Sequence, residues 1–238
     1  MPYTTKLCSV AGLKTREKAA LLNLLDHHFD NVVPETFHTD LKEKDLVFLL
    51  FDSRSETLLG FSTQKIFTHT LDGRDCRIIF SGDTIVAPSA WGSTDFPMAL
   101  ITWMLSMWKE NPSLPLYWML LSMGIRTYRF LPLYFKAFFP CCDFSTPPGI
   151  RLLMDDLGKR RYPERYDPGK GIIFASPECC YLRDSLAVIP RARLRNRHVD
   201  FFLKKNPGYA AGDELLCLAR IEPENIRPSI LHRLARRQ

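Results

Sequence analysis

The chain has 238 residues, 46% hydrophobic and 24% charged, which is typical of a folded globular protein and excludes a disordered one. The first residues, with Lys6 followed by polar and charged sequence, lack the apolar core of an export signal, so we expect a cytoplasmic protein. Seven cysteines, with no C-x-x-C spacing, predict free thiols and no metal site.

The net charge of +6 belongs to the C-terminal part of the chain. Residues 1–150 carry 14 Lys and Arg against 15 Asp and Glu, whereas residues 151–238 carry 18 against 11. This surplus indicates an acidic or phosphorylated partner. A nucleic acid is not the expected partner, because no binding motif and no interleaved exposed aromatic residues accompany the basic side chains.

Neither of the two long apolar segments predicts a membrane span. Residues 96–108 are too few to cross a bilayer. Residues 114–142 are numerous enough, but Arg126, Arg129 and Lys136 interrupt them at helical spacings. We interpret this second segment as a buried strand followed by a helix.

The first half of the chain predicts a helix and then an antiparallel meander. Apolar residues at helical spacing predict a helix over Thr15–Asp30, with Thr15 as its N-cap. Asp72-Gly73 supplies a hairpin turn between two of the strands. The predicted strands are Asp45–Phe51, Thr57–His69 and Cys76–Val86.

The pattern changes after Val86. A helix opens at Thr94 or Asp95 and runs to Trp108, with Pro97 in its first turn. The later elements predicted are a strand at Leu116–Met123, a helix at Arg126–Phe139 and strands at Gly169–Ala175 and Asp213–Ile221, with long loops between the last two. The fold class is therefore α+β, a mixed and mostly antiparallel central sheet flanked by helices, with a loop-rich basic C-terminal extension.

This order of elements resembles the GNAT superfamily of N-acyltransferases over about residues 15–142. In that family a meander leads into a phosphate-holding turn and a helix, and a further strand then splays away to admit an acyl donor. The positions that carry the resemblance are Leu59-Gly60-Phe61 in the meander, Ile78–Val86 before the turn, Leu116–Met123 as the splayed strand and Leu133–Phe139 as the aromatic end of a helix. Residues 1–150 would form this core, and residues 151–238 would complete the sheet and the acceptor site.

The turn Val86–Asp95, VAPSAWGSTD, departs from the family pattern Arg/Gln-x-x-Gly-x-Gly/Ala. It keeps one glycine, lacks the leading basic or amide residue and contains a tryptophan. The resemblance implies that the donor is bound by Val86, Trp91, Gly92, Ser93 and Thr94. Backbone N–H groups at a helix N-terminus suit an anion. The alternative is a plain glycine turn with a capping Thr or Asp.

Similarly eroded turns occur in the autoinducer synthases and the long-chain N-acyl amino acid synthases, which take long acyl groups, often from acyl carrier protein. The resemblance to this branch implies a fatty-acyl donor. The residues that would flank an acyl tunnel are Trp103, Trp108, Trp118, Met104, Met107, Met119 and Met123. The alternative is that these side chains are ordinary core.

Two residues are candidates for catalysis. Tyr134 matches the family position that protonates the leaving thiolate; the alternative is a core tyrosine. Asp83 interrupts an apolar strand, and a carboxylate there needs a partner or a task. It either deprotonates the attacking amine or is a bulge residue paired with an arginine.

Three other groups are weaker candidates. Arg191–Arg197 places four arginines at alternate positions, which in a strand would form one basic face or a solvated edge. His27-His28 ends a helix, and Cys141-Cys142 has no nearby histidine in the sequence to activate a thiol.

The sequence thus predicts an acyltransferase that moves an acyl group, by preference fatty-acyl, from acyl-CoA or acyl carrier protein to the amine of an amino acid or peptide. No cofactor is expected to be bound permanently. The alternatives are a short-chain acetyl-CoA-dependent N-acetyltransferase, a catalytically inactive binding or regulatory module of the same shape, and a peripheral membrane protein.

Overall fold

Strands and helices alternate along the N-terminal part of the computed structural model, in which residues 2–236 are described. In chain order these elements are β1 (Tyr3–Ser9), α1 (Thr15–His28), β2 (Phe29–Asp30), α2 (Pro34–Lys42), β3 (Leu46–Asp52), β4 (Leu58–Leu71), β5 (Arg74–Val86), α3 (Asp95–Glu110), β6 (Leu116–Ser122), α4 (Ile125–Tyr128) and α5 (Phe130–Tyr134).

The C-terminal part adds short strands and five helices to this frame, among the residues described. They are α6 (Pro148–Arg161), β7 (Tyr166–Asp167), β8 (Ile172–Ile173), β9 (Tyr181–Leu182), α7 (Asp184–Ala187), α8 (Arg191–Leu194), α9 (Arg197–Lys205), β10 (Glu214–Arg220) and α10 (Pro228–Ala235).

Eight of the strands form one sheet in the order β1-β3-β4-β5-β6-β10-β8-β7. Each neighbouring pair is antiparallel except β5 and β6, which run parallel. The strands β2 and β9 pair separately. The predicted class, α+β with a mixed and mostly antiparallel sheet flanked by helices, is confirmed.

The parallel strands β5 and β6 part before either of them ends. Their pairing stops at Ser81 and Leu120, whereas β5 continues along β4 as far as Val86. At this point Gly82 and Asp83 of β5 stand opposite a single residue of β4, which is a β-bulge. Because a bulge bends its strand and increases the local twist, it carries the end of β5 away from β6.

The bulge also changes which face of the sheet each residue of β5 occupies. Ile78 and Phe80 point to one face, towards α6, and Ile79 points to the other, towards α3. Strict alternation would put Ile85 on the α3 face, yet it packs with α1 and α2 on the opposite face. The extra residue has therefore inverted the alternation, and Asp83 lies on the same face as Phe80.

The structure adds two N-terminal elements to the predicted set. The edge strand β1 pairs with β3 and shows no clear apolar alternation. The helix α2 begins with Pro34 and buries Phe37 and Leu41, an i, i+4 pair that the sequence does contain. Helix α1 begins at Thr15, so Thr15 is not the N-cap. Lys14 holds that position, and its N–H donates to Glu17 Oε2 at 2.7 Å.

The predicted helix over Arg126–Phe139 is wrong in its second half. Helical structure ends at Tyr134, and the following residues form two isolated bridges, at Phe135 and Phe139, with a bend between them. The N–H of Lys136 donates to the carbonyl of Asn225, and the N–H of Phe139 donates to that of Leu218. The chain leaves the helix because these partners, distant in sequence, provide hydrogen bonds for an extended backbone.

The C-terminal part has more helix than expected. Of the predicted strand Gly169–Ala175 only Ile172–Ile173 is strand. In the region expected to be loop, α9 begins at the N-cap Asn196 and buries Val199 and Phe202. The predicted basic strand face of Arg191–Arg197 is wrong, because α8 and the start of α9 occupy these residues.

Two expectations concern larger parts of the chain: the absence of a membrane span and the division into two regions. Among the helices of residues 2–236, none has the length and apolar character needed to span a bilayer. The division into residues 1–150 and 151–238 stays a prediction, although β10 lies within the common sheet beside β6.

Candidate functional site

Two cavities meet where β5 and β6 diverge. The larger, of about 550 Å³, lies between the end of β5, the turn before α3, and α4 and α5. The smaller, of about 350 Å³, lies on the opposite face. Four residues line both of them: Phe29, Thr84, Met123 and Thr127. We call the larger the basic cavity and the smaller the acidic cavity, after the charged residues described below.

The turn predicted to bind a donor lines the basic cavity. Val86, Trp91, Gly92, Ser93 and Thr94 all contribute to its wall. Gly92 has a φ of +93°, a conformation that side-chain-bearing residues rarely adopt. The indole N–H of Trp91 donates to the carbonyl of Val86 at 2.7 Å, which holds the turn against the end of β5.

The backbone of this turn has less to offer an anion than the sequence predicts. The N–H of Ser93 donates to the carbonyl of Ala90. The N–H of Asp95, in the first turn of α3, donates to Ser93 Oγ. Asp95 also places a carboxylate at the positive end of the helix dipole. Positive charge for a phosphate must therefore come from elsewhere in the wall.

Four arginines supply that charge. The guanidinium of Arg126 lies 3.4 Å from the centre of the Trp91 ring, a cation–π contact. The other three in the wall are Arg129, Arg193 and Arg233. Within residues 2–236 none of the four forms an ion pair or a side-chain hydrogen bond, and the buried Nε of Arg126 has no acceptor. Burial and the charges of Arg193 and Arg129 lower the pKa of Arg126.

The inner wall of the basic cavity is apolar and includes Tyr134. Leu50 and Phe96, which belong to the core on the α3 side of the sheet, contribute aliphatic and aromatic surface. Tyr134 is 7% exposed and stacks on Phe130, with ring centroids 6.0 Å apart. A predicted catalytic residue and the predicted binding turn therefore share one cavity, and the roles proposed for them stay predictions.

The other predicted catalytic residue, Asp83, lines the acidic cavity. The bulge places it there, as described above, and no arginine within residues 2–236 pairs with it. Burial, followed by the charge of Asp40, raises the pKa of Asp83 to about 6, against a smaller opposing effect of Lys44. Since it neighbours Thr84, which lines both cavities, Asp83 lies beside their junction.

A second carboxylate, Glu214 at the start of β10, lines the same cavity. Burial raises the pKa of Glu214 to about 7, the charges of Asp83 and Asp40 add to the rise, and Arg165 opposes it. In the described part of the chain neither Glu214 nor Asp83 makes a side-chain hydrogen bond or an ion pair. Partly burying two carboxylates that lack such partners costs folding free energy.

The remaining charges near the acidic cavity are largely engaged. Lys44, whose side chain is fully buried, pairs with Asp40 at 2.5 Å. It fits there because Gly82 has no side chain: a Cβ at Gly82 would lie 2.6 Å from Lys44 Cε. Arg165 Nε donates to the carbonyl of Phe174 at 2.6 Å.

The tryptophan and methionine residues expected along an acyl tunnel are mostly core. Trp118, Met104 and Met119 are almost fully buried, and Trp103, Met107 and Trp108 pack against the same core. Only Met123 among the seven lines a cavity. Their spacing therefore carries no evidence for a tunnel.

The expectation that Cys142 has no histidine nearby is wrong. Its Sγ lies 3.2 Å from His198 Nδ1, and with Asp143 these residues form a group whose ligand atoms lie within 4.8 Å of one another, as a metal site would require. Arg197 already pairs with Asp143 and donates to Cys142 Sγ. The group is thus held together by a cation from the protein itself.

The sequence had signals for the residues that were missed. Arg126 and Arg129 interrupt an apolar segment three positions apart, so they share one side of a helix. Glu214 opens an otherwise apolar strand, the same signal that drew attention to Asp83. What the sequence lacked was any indication that these positions meet.

Comparisons with known proteins give distant structural likenesses. No protein-family model and no curated protein matches the chain. A probable N-acyltransferase from Enterococcus faecalis has a TM-score of 0.40 and 15% identity, and the match covers 53% of this chain and 31% of that protein.

Two further solved structures are similar over about the same part of the chain. Glucosamine-6-phosphate N-acetyltransferase from Arabidopsis thaliana has a TM-score of 0.38 and 13% identity, covering 53% of this chain and 87% of that one. A GNAT family N-acetyltransferase from Escherichia coli, solved with CoA, has a TM-score of 0.38 and 14% identity, covering 55% and 68%. Because these identities and TM-scores are low, we draw no conclusion about activity from them.

Proposed function

We propose that this chain is an N-acyltransferase of the GNAT superfamily, which transfers an acyl group from a thioester donor to an amine. The observation that carries the proposal is the meeting of two cavities of opposite charge where β5 and β6 part. An anionic donor and a cationic amine can then approach one another from the two faces of the sheet. Holding both reactants in place accounts for a large part of catalysis in such reactions.

The donor is acyl-CoA, bound in the basic cavity. Its phosphates lie against Arg126, Arg129 and Arg193, which take over the role of the basic residue missing from the turn. Guanidinium groups form paired, charge-assisted hydrogen bonds with phosphate. Trp91 holds Arg126 in place through its ring. Acyl carrier protein is a further donor to test, supported only by the basic surplus of residues 151–238.

The amine enters the acidic cavity and is deprotonated by Asp83. With a pKa raised to about 6, the carboxylate is mostly ionised at neutral pH and still a useful base. The ammonium group first loses one proton to solvent. The lone pair of the neutral amine then attacks the thioester carbonyl carbon, and the N–C bond forms as the second proton passes to Asp83, directly or through one water. Asp83 returns this proton to solvent after turnover.

The second half of the reaction breaks the C–S bond. The thiolate leaves with the electron pair, and the Tyr134 hydroxyl in the basic cavity donates a proton to it. The tyrosinate regains its proton from solvent. Since Tyr134 and Asp83 line different cavities, acid and base act on opposite sides of the reacting carbonyl.

Two candidates exist for the acyl group. The apolar residues Leu50 and Phe96 in the basic cavity support a fatty-acyl group. A short acyl group is favoured because three of the seven expected tunnel residues are buried in the core and three more pack against it. A series of acyl-CoA donors of increasing chain length, assayed for release of free thiol, distinguishes the two by where kcat/KM is highest.

The test of the whole proposal is product formation. Purified protein is incubated with acetyl-, octanoyl- and palmitoyl-CoA or acyl carrier protein and a pool of amines, and mass spectrometry follows acylated products. Product that disappears in Asp83→Asn and persists in Glu164→Gln, an exposed position outside the cavities, supports the proposal. Absence of product and of any thermal shift with every thioester contradicts it and favours an inactive binding module.

A further inference from the structure

We propose that the acidic cavity selects an acceptor that carries a second positive charge and no carboxylate, a diamine or polyamine rather than an amino acid. This specificity rests on the proposed function, because a bound amine is an acceptor only if the chain transfers an acyl group to it. The inference starts from the two cavity carboxylates that have no partner within the described chain, Asp83 and Glu214.

The two carboxylates share one face of the sheet. The bulge turns Asp83 to the face of Phe80, and Glu214 alternates with Leu216 and Leu218, which pack on that same face. They stand on β5 and β10, the strands on either side of β6, so both flank the end of β6. A ligand that reaches the junction of the cavities therefore lies between two carboxylates.

The charges of the acidic cavity are out of balance. The carboxylates of its wall are Asp40, Asp83, Glu178 and Glu214, and the only cation in the wall, among residues 2–236, is Arg165. The buried Lys44 behind the wall pairs with Asp40. Even after both cations are counted, two carboxylates remain without compensation, which matches a ligand with two positive charges.

Each of the two carboxylates has a distinct task. Asp83 lies next to Thr84 at the junction and faces the amine that attacks. Glu214 lies on β10 and holds the second ammonium group of the same molecule. A diamine thus has one amino group at the donor and the other held by Glu214. An amine with a single charge lacks this second point of attachment.

A carboxylate on the acceptor meets an unfavourable wall. It would lie against four carboxylates and gain only Arg165, whose Nε is already bound to the carbonyl of Phe174. Like charges at short range disfavour binding strongly in a cavity of low dielectric. An α-amino acid is therefore a poorer ligand than the amine that lacks its carboxylate.

Binding of a dication should also release protons from the cavity. The titratable and charged groups that face Asp83 and Glu214 are Asp40 and Lys44 from α2 and its following loop, Tyr162 and Arg165 after α6, and Glu178, Cys179 and Cys180 from the loop before β9. Since Glu214 has a pKa near 7 in the free protein, a bound ammonium group favours its ionised form. Protons are then released on binding near neutral pH.

The test is calorimetric titration of the full chain without donor, using three matched probes. Cadaverine has two amino groups, pentylamine lacks the second, and lysine is cadaverine with a carboxylate. We expect cadaverine to bind at least about tenfold more tightly than either of the others. Repeating the titration near pH 7 in buffers of different ionisation enthalpy measures the released protons.

The variants identify the residues responsible. Glu214→Gln lowers cadaverine affinity about tenfold and leaves pentylamine affinity nearly unchanged, whereas the exposed Glu164→Gln changes neither. If Glu214→Gln does not fold, Asp83→Asn serves instead: it should lower the affinity for both amines, because Asp83 faces the amino group that the two probes share, and an unchanged cadaverine affinity would contradict the inference.

Three results overturn the inference: equal affinity for cadaverine and pentylamine, tighter binding of lysine, or no binding of any probe. Since no donor is present, these results are separate from a failure of acyl transfer. Acylation of an amino acid without diamine binding would retain the proposed function and refute this specificity. Diamine binding without transfer to any amine would support this specificity and refute the proposed function.

Discussion

Replacing Glu214 with glutamine should stabilise the folded protein at alkaline pH and leave it nearly unchanged at acid pH. In the folded chain, burial and the charges of Asp83 and Asp40 raise the pKa of Glu214 to about 7, from an ordinary value of 4.5. Between these two values the folded state holds a proton that the unfolded state has released. Stability therefore falls as pH rises through this window.

The size of the effect follows from the two pKa values. One pKa unit corresponds to about 1.4 kcal/mol, so the gap between 4.5 and about 7 corresponds to about 3 kcal/mol. Below about pH 4.5 both states are protonated, and the amide of glutamine imitates the neutral acid. Above about pH 7.5 the folded wild type bears a half-buried charge that none of residues 2–236 pairs, and the variant does not.

Urea denaturation at about pH 5 and about pH 8.5, followed by circular dichroism, measures this difference. We expect Glu214→Gln to be more stable than the wild type by up to about 3 kcal/mol at the higher pH and by a small fraction of that at the lower. Glu164→Gln, at an exposed position, should change neither value. A variant that is equally or less stable at the higher pH would refute the assignment of Glu214 as a half-buried carboxylate without a partner among the described residues.

Three further predictions concern the basic cavity and the strand beneath it. Arg126→Ala should raise the KM for acyl-CoA about tenfold with a smaller change in kcat, measured by thiol release; an unchanged KM would remove this arginine from donor binding. Tyr134→Phe should lower kcat about tenfold or more in protein that stays folded by circular dichroism, and equal turnover would show that the hydroxyl is not the proton donor. Gly60→Ala should destabilise by about 2 kcal/mol, because its Cβ would lie 2.7 Å from the carbonyl oxygen of Ile85. Gly149→Ala, with open space around it, should not be destabilised, so equal melting temperatures for the two variants would contradict the packing argument.

The sequence was informative about the site wherever the signal was local. The turn Val86–Asp95 attracted attention because a single glycine lies between an apolar strand and an apolar helix. All five of its predicted binding residues line one cavity with Tyr134. Asp83 attracted attention as a charge in an apolar strand. Their positions followed from the order of strands and helices, and their chemical roles still await experiment.

The sequence was uninformative wherever the answer depended on distant residues. The end of the helix at Tyr134 depends on hydrogen bonds from the following residues to Leu218 and Asn225, which no local pattern reveals. The turn itself lacks an arginine, but the start of α4 places the guanidinium of Arg126 over the ring of Trp91 in that turn. In the same way Cys142 meets His198 only because α9 packs beside the extended segment after α5.

By itself the sequence determined the helices α1 and α3, the meander β3–β4–β5, the strands β6 and β10 and the mixed α+β class, because apolar periodicity and turn residues act over a few positions. It missed β1, α2 and the helices α6 to α10. The tertiary structure decided which way Asp83 points. Strict alternation along β5 would have turned it to the face of Ser81, and a single bulge opposite Thr63 turned it to the face of Glu214 instead. A shift of one residue reverses every following side chain in a strand. Asp83 lines the acidic cavity because the pairing of β5 with β4 contains that extra residue.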